Sequence, residues 1–339
     1  MPIPGTGAVP TGAIYEELTA VTRRAFIPRV VVQLYYSSPL MMLLLANAQR
    51  SAGGLSQITG PVQGASMVQG AWTGYSGTFN KPSIITGLQN YQFNTSYYTV
   101  PVPLVMGEAL IQSTEALIPI IDVRMNDVYA VTNQTMASAL FTLNTANPLM
   151  PSSLVDAVDN GTNAPTYGGI DRTAAGNSYW QAQVYDANSA NILTRSAIAS
   201  YLIQITDVAG GEAPDFVVMS PGDYASLNAQ FIGTEQIHTR PGEEYSIDTK
   251  IRSSFPNLNI NGIPIFMDHW CPTGTMYALN SKYLSLYLSE DAPFIFSGFY
   301  STVPLLQIAQ IGVMLVGYNV ICTKPVSCAQ ITNFTGAAF

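Results

Sequence analysis

Only 10% of this 339-residue chain is charged, against about 25% in an ordinary soluble domain, and that deficit limits what the folded chain can be. A freely dissolved monomer needs surface charge to stay in solution. Surfaces held permanently against partners lose charge, most of all at their centres. Hydrophobic residues make up 47%, which supplies a large core and excludes wholesale disorder. A chain this apolar and this poor in charge is expected to work in an assembled or otherwise covered state.

The charge present is unbalanced, with 13 basic against 21 acidic residues and a net charge of −8. Sequence-specific nucleic-acid binders set clustered Lys and Arg against phosphates. Here lysine occurs only at Lys81, Lys250, Lys282 and Lys324, and no basic run exists. Cys271, Cys322 and Cys328 are odd in number and widely spaced, which makes no disulfide framework and fits folding in a reducing cytoplasm. The opening run MPIPGTGAVPTG lacks the basic and apolar regions of a secretion signal. Pro39 to Ala46 is too short to span a membrane, and Ile311 to Cys322 is interrupted by Tyr318 and Asn319, so no transmembrane segment is expected.

In chain order, residues 1 to 12 read as an extended arm rich in Pro and Gly. Ile14, Leu18, Val21 and Ala25 then recur at helical spacing, with Glu16 and Glu17 near the start and Arg23 and Arg24 near the end, an order that complements the helix dipole. Ser38-Pro39 resembles an N-cap with proline at the first helical position, opening a helix from Leu40 to Ala48. From Gly53 to Val102 the chain turns polar, interleaved with Val68, Trp72, Tyr75 and Phe79. Tyr91, Phe93, Thr95, Tyr97 and Thr99 alternate as one strand. This stretch predicts a long two-stranded excursion turning near Asn80-Lys81-Pro82, which cannot bury both faces on its own. Gly107 to Phe141 predicts a long helix in which Pro119 should produce a kink or break. Residues 144 to 191 read as a turn-rich connector, and Ile192 to Gln310 as a mixed α/β region. That region includes the buried strand Phe216 to Met219 and the Asn261-Gly262 turn.

The search for chemistry is mostly negative: there is no phosphate loop, dinucleotide fingerprint or nucleophile elbow. Asp268-His269-Trp270-Cys271 gathers three potential metal ligands, yet reads better as a strand end leading into the Cys271-Pro272-Thr273-Gly274 turn. His238 beside Arg240 reads as a solvated loop residue, and Glu115 and Asp122 as helix charges. Lys81 at a hairpin tip reads as an edge charge that discourages unwanted strand pairing rather than as a reactive amine. No catalytic residue, cofactor or metal is expected.

The order of arm, helix, long hairpin, long helix, connector and α/β region resembles that of tailed-bacteriophage major capsid proteins with the Hong Kong 97-like fold, an α+β architecture. Particular stretches carry the resemblance: Tyr167-Gly168-Gly169-Ile170-Asp171-Arg172 with Tyr179-Trp180, Gly211 to Ser220, and Asn261 to Ile265 followed by Cys271 to Asn280. The resemblance implies an N-terminal arm and helices at 1–52, an extended loop at 53–103 and a peripheral domain with a spine helix at 104–191. An axial domain at 192–310 and a return to the peripheral domain with a tail at 311–339 complete the implied order. It also implies assembly of many copies as hexamers and pentamers around double-stranded DNA, held without sequence-specific binding. Portal and scaffolding or decoration proteins would be partners, no membrane would be, and a virion shell would assemble in the host cytoplasm. Inter-subunit contacts are expected at Arg23, Arg24, Trp72, Tyr75, Lys81, Tyr91, Tyr97, Asp171, Arg172 and Trp180. Some members crosslink through a loop lysine; with no partner identifiable for Lys81, no crosslink is expected. The rival readings are an encapsulin-like host nanocompartment shell, an unrecognised α/β enzyme and a surface-layer β protein.

Overall fold

A computed structural model describes residues 38–51, 57–67, 70, 72–75, 87–105, 120–144, 147, 149–188, 193–232, 258–301 and 309–334. The arm, the first expected helix and the hairpin tip lie outside these residues. Helix α1 (Pro39–Ala46) opens as its sequence predicts: the Ser38 hydroxyl accepts from the Met41 N–H at 3.2 Å and proline occupies the first turn. Ser38 also donates to Asp268, which ties this cap to a distant strand end.

Strands β1 (Gln49–Ser51), β2 (Gln57–Gln63), β3 (Leu88–Asn94) and β4 (Ser96–Val105) follow. β2 and β3 pair antiparallel as a separate two-stranded ribbon, whereas β4 leaves it for a larger sheet. The expected single strand from Tyr91 to Thr99 therefore breaks at Thr95. Phe93 faces inward on β3, but on β4 the inward positions are Val102 and Leu104. The inward parity changes across the break, which unbroken alternation in the sequence conceals.

Helix α2 (Ile120–Leu140) is the described part of the expected long helix, and the break expected at Pro119 lies outside the described residues. Its Val128 packs with Val102 of β4 and with Met314. Among its described residues the connector holds the short helix α3 (Leu154–Ala157), a 3-10 turn at Ser178–Trp180, the two-residue strands β5 (Thr166–Tyr167) and β6 (Ile170–Asp171), and β7 (Gln183–Asp186).

The remaining elements are α4 (Arg195–Val208), β8 (Phe216–Met219), α5 (Pro221–Ile232), β9 (Leu258–Ile260), β10 (Ile263–Met267), β11 (Met276–Leu279), β12 (Leu284–Ser289), β13 (Ile295–Ser301), β14 (Ala309–Cys322) and β15 (Ala329–Thr332). The six-stranded sheet runs β7-β15-β11-β8-β10-β9. Its central strand β8 is buried at every position because both faces are covered. Phe216 and Val218 join one core, Val217 and Met219 the other, with Ile198, Leu202 and Ile205 of α4. The Asn261-Gly262 turn between β9 and β10 has φ of +53° and +83°, the left-handed pair that a two-residue hairpin needs.

The five-stranded sheet is built around β14. β12 and β13 pair in succession with β14, while β4 pairs with its residues 309–318. Sheet membership cuts across the linear division expected at residue 310. β12 and β13 belong with β14, and β15 from the C-terminal segment lies within the six-stranded sheet between β7 and β11.

Two direct connections cross between the sheets, β11 to β12 and β14 to β15, and they touch: the Thr323 N–H donates to the Tyr283 carbonyl at 3.0 Å. Glu212, just beyond α4, holds both. Its carboxylate accepts from Lys324 at 2.6 Å, from the Tyr283 hydroxyl at 2.7 Å and from Lys282 at 3.2 Å. These bonds, Lys324 first, hold its pKa down at about 2. A depressed carboxylate stabilises the fold above the unfolded-state value near 4.5 and loses that contribution as pH falls towards 2. Glu212→Gln is therefore expected to melt below wild type at pH 7, with the gap closing as pH approaches 2. A gap independent of pH, measured by thermal denaturation, would refute the ionic role.

Candidate assembly surfaces

The β2–β3 ribbon joins the rest of the chain through an aromatic knot at its base. Tyr91 of β3 stacks on Trp180 with ring centroids 5.9 Å apart and planes 16° from parallel, and Phe93 meets Tyr167 edge-on at 4.8 Å. Backbone ties accompany the rings: Gln92 N–H donates to the Gly168 carbonyl at 2.8 Å, and Asn319 Nδ2 donates to the Asn94 carbonyl at 2.6 Å. Gly168 has φ +57°, and a Cβ there would lie 2.6 Å from the Phe93 ring, so both the turn and the close approach require glycine.

Arg172 organises the knot from within. It is fully buried, and its guanidinium donates to the carbonyls of Trp180 (3.0 Å), Asp156 (2.6 Å) and Ala157 (2.8 Å) while lying 4.5 Å from the centre of the Tyr167 ring. The Asp156 and Ala157 carbonyls are at the C-terminal end of α3, where intrahelical donors run out. Trp180, also fully buried, donates its indole N–H to the Tyr167 carbonyl at 2.8 Å.

The expected contact residues thus divide. Arg172 and Trp180 are corrected: their side chains are consumed inside the chain and present no surface to a neighbour. Tyr91 is partly buried against Trp180. Asp171 is exposed and accepts from the Thr173 N–H and hydroxyl, which lower its pKa. Trp72 and Tyr75 are fully exposed, and Tyr97 is more than half exposed. Arg23, Arg24 and Lys81 lie outside the described residues. Exposed Met67 and Leu88, not singled out in the sequence, add to the apolar surface of the same excursion. Ile203 and Val208 are exposed on α4.

Beneath the ribbon's base lies a cleft of about 350 Å³ lined by Gln92, Asn94, Ser96, Asn144, Asp156 and Asn319 among others. Its one lining carboxylate, Asp156, has a pKa raised by burial and accepts from Ser153 N–H and hydroxyl and from Asn144 N–H. Asp268 is likewise occupied, by Ser38 and the Trp270 N–H, while the Cys271 thiol lies 3.5 Å from the Thr275 carbonyl. Among the described residues no group of three or more His, Cys, Asp or Glu side chains is arranged to hold a metal, and no helix is long and apolar enough to cross a membrane.

Replacing Arg172 with Met would leave the carbonyls of Asp156, Ala157 and Trp180 buried without donors, at about 1–3 kcal/mol each. Arg172→Met is expected to lose roughly 3 kcal/mol or more of stability in urea denaturation, while the exposed neighbour Asp171→Asn leaves the denaturation midpoint essentially unchanged. Equal, small effects at the two positions would contradict the buried role of Arg172.

No family model matches the chain, and no curated protein matches it by sequence. Solved structures do match across nearly its whole length. The capsid asymmetric unit of cyanophage A-1(L) superposes with a TM-score of 0.71 at 15% identity, covering 94% of this chain and 98% of that one. The SrpI encapsulin complex of Synechococcus elongatus PCC 7942 gives 0.60 at 10% identity over 98% of each chain. Mycobacterium phage Adephagia gives 0.54 at 14% identity, over 98% of this chain and 100% of that one. At such identities the likeness concerns architecture, and on architecture it agrees with the observed ribbon, long helix and paired sheets: the chain has the Hong Kong 97-like fold of tailed-phage major capsid proteins.

Proposed function

We propose that the chain is a structural shell subunit, the major capsid protein of a tailed bacteriophage, which assembles as hexamers and pentamers around double-stranded DNA. The observation that carries this reading is the β2–β3 excursion. Its base is fixed by the Arg172–Trp180 knot, while Trp72 and Tyr75 beyond it are fully exposed. A rigidly rooted ribbon with large uncovered aromatic side chains gains stability when a neighbouring copy covers them. The charge deficit supports the same reading, because a closed shell reuses one surface patch many times. The acidic balance suits an inner wall that does not hold packaged phosphates tightly. The role is non-enzymatic, and its place is the virion, filled through a portal and built in the host cytoplasm.

The likeness to SrpI encapsulin supports a second reading, a host nanocompartment shell. Both make closed shells and differ in what co-purifies, nucleic acid with portal and tail proteins or a cargo protein. Negative-stain electron microscopy with light scattering on the purified chain, alone and with its neighbouring gene products, tests the shared claim. Closed shells or capsomer-sized rings are expected, and persistent monomers under both conditions would overturn it. Burying one large apolar side chain is worth about 1.5–3 kcal/mol, so Trp72→Ser/Tyr75→Ser is expected to raise the concentration needed for assembly tenfold or more. Unchanged assembly in that variant would remove the excursion from the contact.

A further inference from the structure

The crossover from β14 to β15 contains a feature that the shell reading does not use. Cys322, the last residue of β14, and Cys328, just before β15, are both fully buried with sulfur atoms 3.9 Å apart, and both are free thiols. A buried cysteine by itself is a small apolar side chain. Two in van der Waals contact at the ends of one crossing are a dithiol. The segment between them carries Lys324, bound to Glu212, and the turn Pro325–Ser327, closed by the Ser327 hydroxyl on the Lys324 carbonyl at 2.8 Å. The Cys322 N–H donates to the Tyr167 hydroxyl at 2.9 Å, so the pair also adjoins the aromatic knot.

We propose that Cys322 and Cys328 are a latent disulfide which, when oxidised by a peroxide, staples the crossover between the two sheets. Either thiol can donate to the other across the 3.9 Å contact, and the one that accepts, taken as Cys328, is the first nucleophile. The Cys328 thiolate attacks one oxygen of the peroxide, the O–O bond breaks, and the other oxygen leaves as water after taking a proton. The resulting sulfenic acid is attacked by the sulfur of Cys322, the S–S bond forms, and a second water leaves with the Cys322 proton. Two thiols are oxidised by two electrons and the peroxide is reduced to two waters. A peroxide is close to water in size, which suits a site reached only through local opening. The ring so closed is short and spans a turn that is already ordered, so its effect falls on the junction of the two sheets.

The test is a thiol count in denaturant after treating the folded full-length chain with hydrogen peroxide, followed by peptide mapping under non-reducing conditions. The chain holds three cysteines; a fall from three free thiols to one per chain is expected, with Cys271 as the survivor and an intrachain Cys322–Cys328 peptide pair on mapping. The melting temperature of the oxidised protein should rise by several degrees and return on reduction, and Cys322→Ser and Cys328→Ser should each abolish the rise. A count that stays at three, a mapped bridge involving Cys271 or joining two chains, or a bridge that leaves the melting temperature unchanged would overturn the proposal. The thiol count on wild type decides bridge formation even where a variant fails to fold.

Discussion

A guanidinium buried among carbonyls is the constraint on which the rest of the structure depends. An unpaired charge in a protein interior is costly unless every polar atom is met. Arg172 can therefore be buried only with the end of α3, the Trp180 backbone and the Tyr167 ring where they are found. Once those are fixed, Trp180 and Tyr167 present the two rings on which Tyr91 and Phe93 land. A segment with almost no regular secondary structure thereby becomes the rigid root of the ribbon. The hydrophobic gain at the knot is local, but its consequence is wider, because it fixes the base from which the ribbon extends.

The second constraint is the double crossing between sheets. Each sheet supplies its own core contacts, and the face of the six-stranded sheet carrying Phe216, Val218, Tyr277 and Leu279 shares a core with Leu286, Val316 and Val320 of the five-stranded one. Polar ties at Glu212 and the thiol pair at Cys322 and Cys328 flank this shared core at the crossings. Under the proposed function, the chain has to keep its shape while neighbouring copies pull on its extended parts. A junction held by both packing and charge-assisted bonds resists that load better than apolar packing, which is non-directional.

What could be read from the sequence was local. The Ser38-Pro39 cap, the Asn261-Gly262 turn and the apolar run Phe216 to Met219 each carry their signal within a few residues, and each forms where expected. Arg172 and Trp180 were expected at inter-subunit contacts from the resemblance, which points to regions and not to the burial of single side chains. The carbonyls that bury the arginine come from residues as far back as Asp156, and no periodicity announces them. The insertion of β15 between β7 and β11 is similarly invisible, since it pairs Ile331 with Met276 and Tyr185 across long stretches of chain. Trp72 and Tyr75 were legible as candidates because a polar, glycine-rich excursion has no core of its own in which to place them.

Under the proposed function, the knot is rigid within each subunit and the ribbon is completed by neighbouring copies. Hydrogen exchange measured by mass spectrometry on unassembled and assembled protein tests it directly. Residues 153–182 should exchange slowly in both states, while residues 57–75 and 88–94 should exchange quickly before assembly and slowly after it. A ribbon that exchanges equally fast in the shell, or a connector that becomes protected only on assembly, would contradict it.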